Sequence, residues 1–212
     1  MLLKTKTLPT SFFFKYIHNS VDMTLDRKKV RVFNRNFREN RTMEDIYIFD
    51  IDGCIMPNLF QNFKVFTDDS EILNSYVKNR VNNLSLFPEF LDFYKRNCVD
   101  SLVVYFITGR TRKEYGRATK RQLYPLKKYK TFLLKFYPDE KSHVKKEYFD
   151  WKYKIITRII DYHLIDSKNI HIYDDFRDII FQLKKVNSLK SKVHCNLIQK
   201  QSDWILEQIA IP

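Results

Sequence analysis

The run Ile46-Tyr-Ile-Phe49 is apolar or aromatic and then stops at Asp50-Ile51-Asp52-Gly53. A short continuous apolar run of this kind predicts a buried β-strand. Leu102–Ile107 repeats the pattern and ends in Thr108-Gly109-Arg110. Asn169–Tyr173 repeats it again and ends in Asp174-Asp175. Lys130–Phe136, closed by Pro138, and Lys192–Ile198 predict two further strands.

Between the strands the apolar positions recur with a helical period. Asp68-Asp69-Ser70-Glu71 puts acids in the first turn of a helix carrying Ile72, Leu73, Tyr76 and Val77. Phe60, Phe63, Val65 and Phe66 precede it, after a turn at Met56-Pro57-Asn58. Pro88 opens a second helix bearing Phe90, Leu91, Phe93 and Tyr94. Glu147–His163 places Ile155, Ile156, Ile159, Ile160 and His163 on one face. Ile179, Ile180, Leu183 and Val186 mark the next helix, and Asp203–Ile209 forms a closing amphipathic segment. Strands alternating with helices predict an α/β fold, a Rossmann-like three-layer α/β/α domain with a mostly parallel sheet. The domain is expected over residues 44–212, with residues 1–43 a basic N-terminal extension.

In a parallel sheet the carboxyl ends of the strands line one edge, where ligands bind. That brings together Asp50 and Asp52, then Thr108 with Gly109 and Arg110, then Asp174 and Asp175. A lysine joins them from a helix. Lys152 precedes Ile155 and Ile156 by three and four residues, so it lies at a helix start on the inward face, whereas Lys154 lies off it. An inward ammonium calls for an anionic partner, unless the side chain snorkels to water. Taken singly, each signal has an ordinary alternative: Asp-Gly is turn punctuation, and Thr fills helix N-caps. Taken together they suit phosphoryl transfer. One carboxylate attacks phosphorus, a hydroxyl and an ammonium hold the other oxygens, and a second carboxylate moves the proton.

Composition narrows this picture. The chain has 212 residues, 44% of them hydrophobic and 16% aromatic, which allows a sizeable core. With 3 glycines there is no glycine-rich phosphate loop and no dinucleotide fingerprint. Cys54, Cys98 and Cys195 are scattered without metal spacing. They predict free thiols in an intracellular reducing compartment, the cytoplasm or else the mitochondrial matrix. No apolar run reaches the ~18 residues of a transmembrane helix. His143, His163, His171 and His194 share no metal-ligand spacing and are read as structural.

The net charge of +13 is segregated. Residues 1–44 hold 10 Lys/Arg against 4 Asp/Glu, and residues 111–154 hold 14 against 5. Segregation favours a binding face for an acidic partner over general solubility. Tyr115, Tyr124, Tyr129, Phe132, Phe136 and Tyr137 are interleaved with the second block, either for base stacking or as core. The first block has the composition of an organellar transit peptide or of a flexible basic arm. Arg27-Lys28-Lys29 and the arginines up to Arg41 either contact phosphates or are solvated.

The motif set resembles the haloacid dehalogenase (HAD) superfamily of aspartate-nucleophile phosphatases. Asp50-Ile51-Asp52-Gly53 matches its first motif, Ile107-Thr108 its second, Lys152 (with Lys154 as rival) its third, and Asp174-Asp175, with Asp178 as an addition, its fourth. Within it the chain is most similar to the Swiss Army Knife RNA repair-like branch, through Pro57-Asn58, Thr108-Gly109-Arg110 and Trp151-Lys152. It departs from that branch at Cys54, where Thr is common, and at Phe176, which stands where an Arg would follow the acidic pair.

The resemblance implies roles. Asp50 would be the nucleophile and Asp52 the general acid/base. Thr108 with Gly109, Arg110 and Lys152 would bind substrate. Asp50, the Asp52 carbonyl and Asp174 or Asp175 would hold Mg²⁺. It also implies that the short spans after the first and second motifs leave a small or absent cap and an open site. With the basic charge, an open site suggests RNA or DNA ends as substrate. The competing readings are a phosphatase of small molecules or proteins, and a non-catalytic RNA-binding protein.

Overall fold

A computed structural model describes residues 44–58, 79–139, 145–165, 167–187, 191–201 and 203–204. All belong to the compact unit Met43–Pro212. The expected helix after Asp68, the Phe60–Phe66 stretch, His143 and most of the closing segment lie outside the described residues.

Five strands form one sheet: β1 (Ile46–Asp50), β2 (Val103–Thr111), β3 (Phe132–Tyr137), β4 (Ile170–Asp174) and β5 (Val193–Leu197). Their spatial order is β3-β2-β1-β4-β5, and every pairing is parallel. The helices are α1 (Pro88–Asn97), α2 (Arg112–Leu123), α3 (Lys145–His163) and α4 (Arg177–Val186), with a 3-10 turn at Tyr124–Lys128. The chain runs outward from β1 through β2 to β3, then returns to β4 on the other side of β1. The order therefore reverses between β1 and β4, and the crevice of a doubly wound sheet opens at that point.

The alternation along each strand builds two cores. Tyr47, Phe49, Phe106 and Tyr173 pack one face against Phe90, Phe93 and Tyr94 of α1 and against Trp204. Ile46, Ile48, Ile107 and Ile172 pack the other against Ile156 and Ile160 of α3 and Ile179 and Leu183 of α4. The first core is centred on aromatic rings, and the second is built largely of isoleucine and leucine, with Tyr105 among them. Trp204 also donates Nε1–H to the Cys54 carbonyl at 2.8 Å, which ties the last described residue to the loop after β1.

Pro88 sits at the start of α1, as its fixed φ favours. Three expectations shift. β2 runs on through Thr108-Gly109-Arg110 to Thr111, with a register shift between Thr108 and Thr111, so Thr111 and not Thr108 stands at the N-cap position of the next helix, without a side-chain capping bond. Val186 is 50% exposed at the end of α4, because Ile179, Ile180 and Leu183 already fill the sheet-facing side. Of the interleaved aromatics, Tyr129, Phe132 and Tyr137 go to packing, while Tyr124 stays 69% exposed.

Candidate active site

Asp50 ends β1 and Asp174 ends β4, so the two carboxylates stand on either side of the switch point. Lys152 comes from α3, second in the Trp151-Lys152 pair, and is 1% exposed. Its Nζ lies 2.7 Å from Asp50 Oδ1 and 2.7 Å from Asp174 Oδ2. Lys154, two residues on, is exposed, as helical spacing requires. Asp174 also accepts the Phe176 N–H at 2.9 Å, which closes the turn into α4.

Asp175 faces the crevice from the other side. It lines a cavity of about 550 Å³ together with Gly53, Pro57, Asn58, Phe87 and Lys200. Gly53 has φ +84°, and a Cβ there would lie 2.8 Å from Asp175 Cγ, so both backbone and space require glycine. Asp178 is exposed in the first turn of α4, outside this group.

The electrostatics follow from burial. Burial pushes the Asp50 carboxyl well up, Lys152 pulls it back, and Asp174 and Asp175 push it up further. Asp175 is pushed up to about 6 by burial and then by Asp174. Burial disfavours the Lys152 ammonium, but Asp174 and Asp50 outweigh it and hold the group well above the ordinary lysine range. Three carboxylates against one ammonium leave excess negative charge in a desolvated crevice. One oxygen from each of Asp50, Asp174 and Asp175 lies within 4.8 Å of the others. An all-oxygen, anionic donor set fits a hard divalent cation.

Asp52 is placed differently. Its carboxylate is outside the three-carboxylate group and is held by Arg110, with Nε to Oδ2 at 2.8 Å and Nη2 to Oδ1 at 2.6 Å. A fifth of the Asp52 side chain stays open. Arg110, which the resemblance implies for substrate binding, is buried, and its guanidinium is engaged within the protein. Nη1 donates to Thr119 Oγ1 at 3.0 Å and to Gln122 Oε1 at 2.6 Å. Gln122 in turn donates through Nε2 to the Val81 carbonyl and to the Leu84 carbonyl at 3.0 Å. Arg110 therefore orients Asp52 and joins it to the segment before α1.

Thr108 follows Ile107, the register partner of Asp50, and is fully buried. Its Oγ1 accepts the Arg110 N–H at 3.1 Å, which leaves its own proton to donate. Gly109 serves packing: a Cβ there would come within 3.1 Å of the Tyr148 ring.

Tyr148 was not singled out from the sequence. Its ring centre lies 5.4 Å from Lys152 Nζ, and it stacks on Phe176 at 6.1 Å. It precedes Lys152 by one helical turn, which is the signal that could have found it. Phe176, the departure from the branch's pattern, thus stacks on the ring that flanks the buried lysine.

Fold and site together define the class: a doubly wound parallel α/β protein whose switch-point crevice holds three carboxylates and one buried lysine. No family model matches the chain, and no curated protein matches it. Among solved structures it is similar to the HAD domain of effector protein Lem4 from Legionella pneumophila. That match has 14% identity and a TM-score of 0.45, and covers 80% of this chain and 94% of that one. It is similar to the Pnkp1/Rnl/Hen1 RNA repair complex at 14% identity and TM-score 0.44, covering 92% of this chain and 58% of that one. It is also similar to the class C acid phosphatase from Bacillus anthracis with tungstate bound, at 12% identity and TM-score 0.42, covering 84% and 76%. At these identities and scores the likenesses carry no weight on their own, and the chemistry rests on the residues of the crevice.

Proposed function

We propose that this chain is a HAD-type phosphohydrolase that cleaves phosphate monoesters through an aspartyl-phosphate on Asp50, with residues 44–212 as the catalytic domain. The observation that carries the reading is Lys152, buried between Asp50 and Asp174 at 2.7 Å from each. An ammonium so placed steadies an ionised nucleophile and neutralises charge on a phosphoryl oxygen.

Asp50 Oδ attacks phosphorus, the bond from phosphorus to the ester oxygen breaks, and Asp52 gives that oxygen its proton. Asp52 then takes a proton from water as the water oxygen attacks phosphorus, which releases inorganic phosphate and restores Asp50. Thr108 offers a hydroxyl proton to the phosphoryl group at the crevice floor. Asp50, Asp174 and Asp175, with the Asp52 carbonyl, would hold Mg²⁺, which when bound offsets repulsion between carboxylate and phosphate.

The crevice opens onto a wide cavity, and the chain is strongly basic, which supports a bulky anionic substrate such as an RNA or DNA end. Three buried free thiols support an intracellular reducing location. Among the described residues, no helix is long and apolar enough to cross a membrane.

Para-nitrophenyl phosphate and a panel of nucleotides, phosphopeptides and phosphate-ended RNAs test the reading. Mg²⁺-dependent phosphate release is expected, with the best kcat/KM on nucleic-acid ends. Release that ignores both Mg²⁺ and Asp50→Asn would exclude it.

A further inference from the structure

We propose that the outward stripe of α2, continued by Tyr124, is a track for single-stranded nucleic acid leading away from the crevice. The inference deepens the reading above and rests on it only for the direction of the strand.

β2 passes into α2 at Thr111, three residues after Thr108, so the helix begins beside the crevice. Its inward side is fixed by Thr119, Gln122 and Leu123, all buried. Lys113, Arg117, Lys120 and Arg121 share the opposite side and are exposed. Tyr124 continues this stripe from the head of the 3-10 turn, 69% exposed, with Lys127 Nζ 5.9 Å from its ring centre. At ~1.5 Å per residue the stripe is about 16 Å long, the length of a few nucleotides of single strand.

The opposing charges lie at the crevice end. Glu114 accepts the Thr111 hydroxyl at 3.0 Å, and Asp139 accepts the Lys113 backbone N–H at 2.9 Å. Arg121 leans on Asn82, with Nη2 3.2 Å from its Oδ1. Positive charge therefore dominates the middle and far end, where Tyr124 stands. Evenly spaced cations leading to an open aromatic ring match regular phosphates followed by a base to stack. An acidic peptide would use the cations but leave the ring without a role.

The test uses the full chain and fluorescence anisotropy with a labelled oligoribonucleotide bearing hydroxyls at both ends, so that binding does not depend on the phosphatase reaction. Wild type is expected to bind with strong salt dependence. Lys113→Glu, Arg117→Glu and Lys120→Glu combined should weaken binding at least tenfold and reduce the salt slope by about 2, at ~0.7 per contact. Tyr124→Ala should weaken it at least about fivefold. All these positions are exposed, and turnover of para-nitrophenyl phosphate should match wild type in both variants. The proposal is overturned by no binding in wild type, by unchanged binding in the triple variant, or by a polyglutamate peptide that binds as tightly with the same dependence on the variants. Loss of RNA binding in the triple variant of a protein that hydrolyses nothing would leave the track standing and remove the phosphatase reading.

Discussion

Lys152 and Asp50, 102 residues apart in the chain, meet with Nζ 2.7 Å from Oδ1. Water reaches neither to any useful extent, since their side chains are 1% and 5% exposed. Breaking a buried pair by removing one partner costs about 3–5 kcal/mol, because the other charge is stranded. Lys152→Met is therefore expected to lower unfolding free energy by that order and kcat by at least ~10²-fold. Lys154→Met should resemble wild type in both, because Lys154 points to solvent. Urea unfolding and phosphate release check the pair of variants.

The carboxylate group predicts a pH dependence of opposite sign with and without metal. The Asp175 carboxyl in the folded protein sits at about 6, above its ordinary value. Without metal its contribution is fully present below the ordinary carboxylate range and is lost as pH rises through about 6. Bound Mg²⁺ needs the ionised form, so its stabilisation should grow as pH rises from 5 to 7. At 100 times the dissociation constant that stabilisation is about 2.7 kcal/mol. Thermal melts across this range, with Mg²⁺ and with EDTA, should diverge as pH rises; parallel curves would contradict the assignment.

Gly53 and Asp175 are coupled by space. Gly53→Ala adds a Cβ where the Asp175 carboxyl lies and strains a φ of +84°. The expected result is a loss of stability of ~1 kcal/mol or more, with a weaker Mg²⁺-induced rise in melting temperature than in wild type.

Arg110 acts through Asp52. Arg110→Lys keeps a positive charge but loses the two-point fork on Asp52 and the bonds to Thr119 and Gln122. If Asp52 protonates the leaving group, the loss in kcat/KM, which reports the steps up to departure of that group, should be largest, about 10²-fold, for alkyl phosphates, and small for para-nitrophenyl phosphate, whose leaving group needs no proton. An equal loss of kcat/KM on both substrates would place Arg110 outside leaving-group protonation.

The sequence carried the rim of the crevice well, because Asp50 and Asp174 end apolar runs buried on both faces. Helical period alone separated Lys152 from Lys154. Long-range contacts were not legible. The engagement of Arg110 depends on Gln122, whose own partners, the Val81 and Leu84 carbonyls, lie about 40 residues earlier. The extension of β2 to Thr111 depends on pairing with Tyr137 across a register shift, which no local pattern announces. Trp204 read as part of an amphipathic tail, yet it sits at the centre of the aromatic core because Tyr173, Phe90 and Phe93 leave it room. Phe176 departs from the branch's fourth motif and stacks on Tyr148, a contact that no local pattern announces.

Acid-quenching the enzyme during turnover of a ³²P-labelled monoester, then mapping the label by peptide mass spectrometry, tests the nucleophile directly. The label is expected on Asp50, and Asp50→Asn is expected to show neither label nor phosphate release. Label on another residue, or steady turnover by Asp50→Asn, would contradict the account.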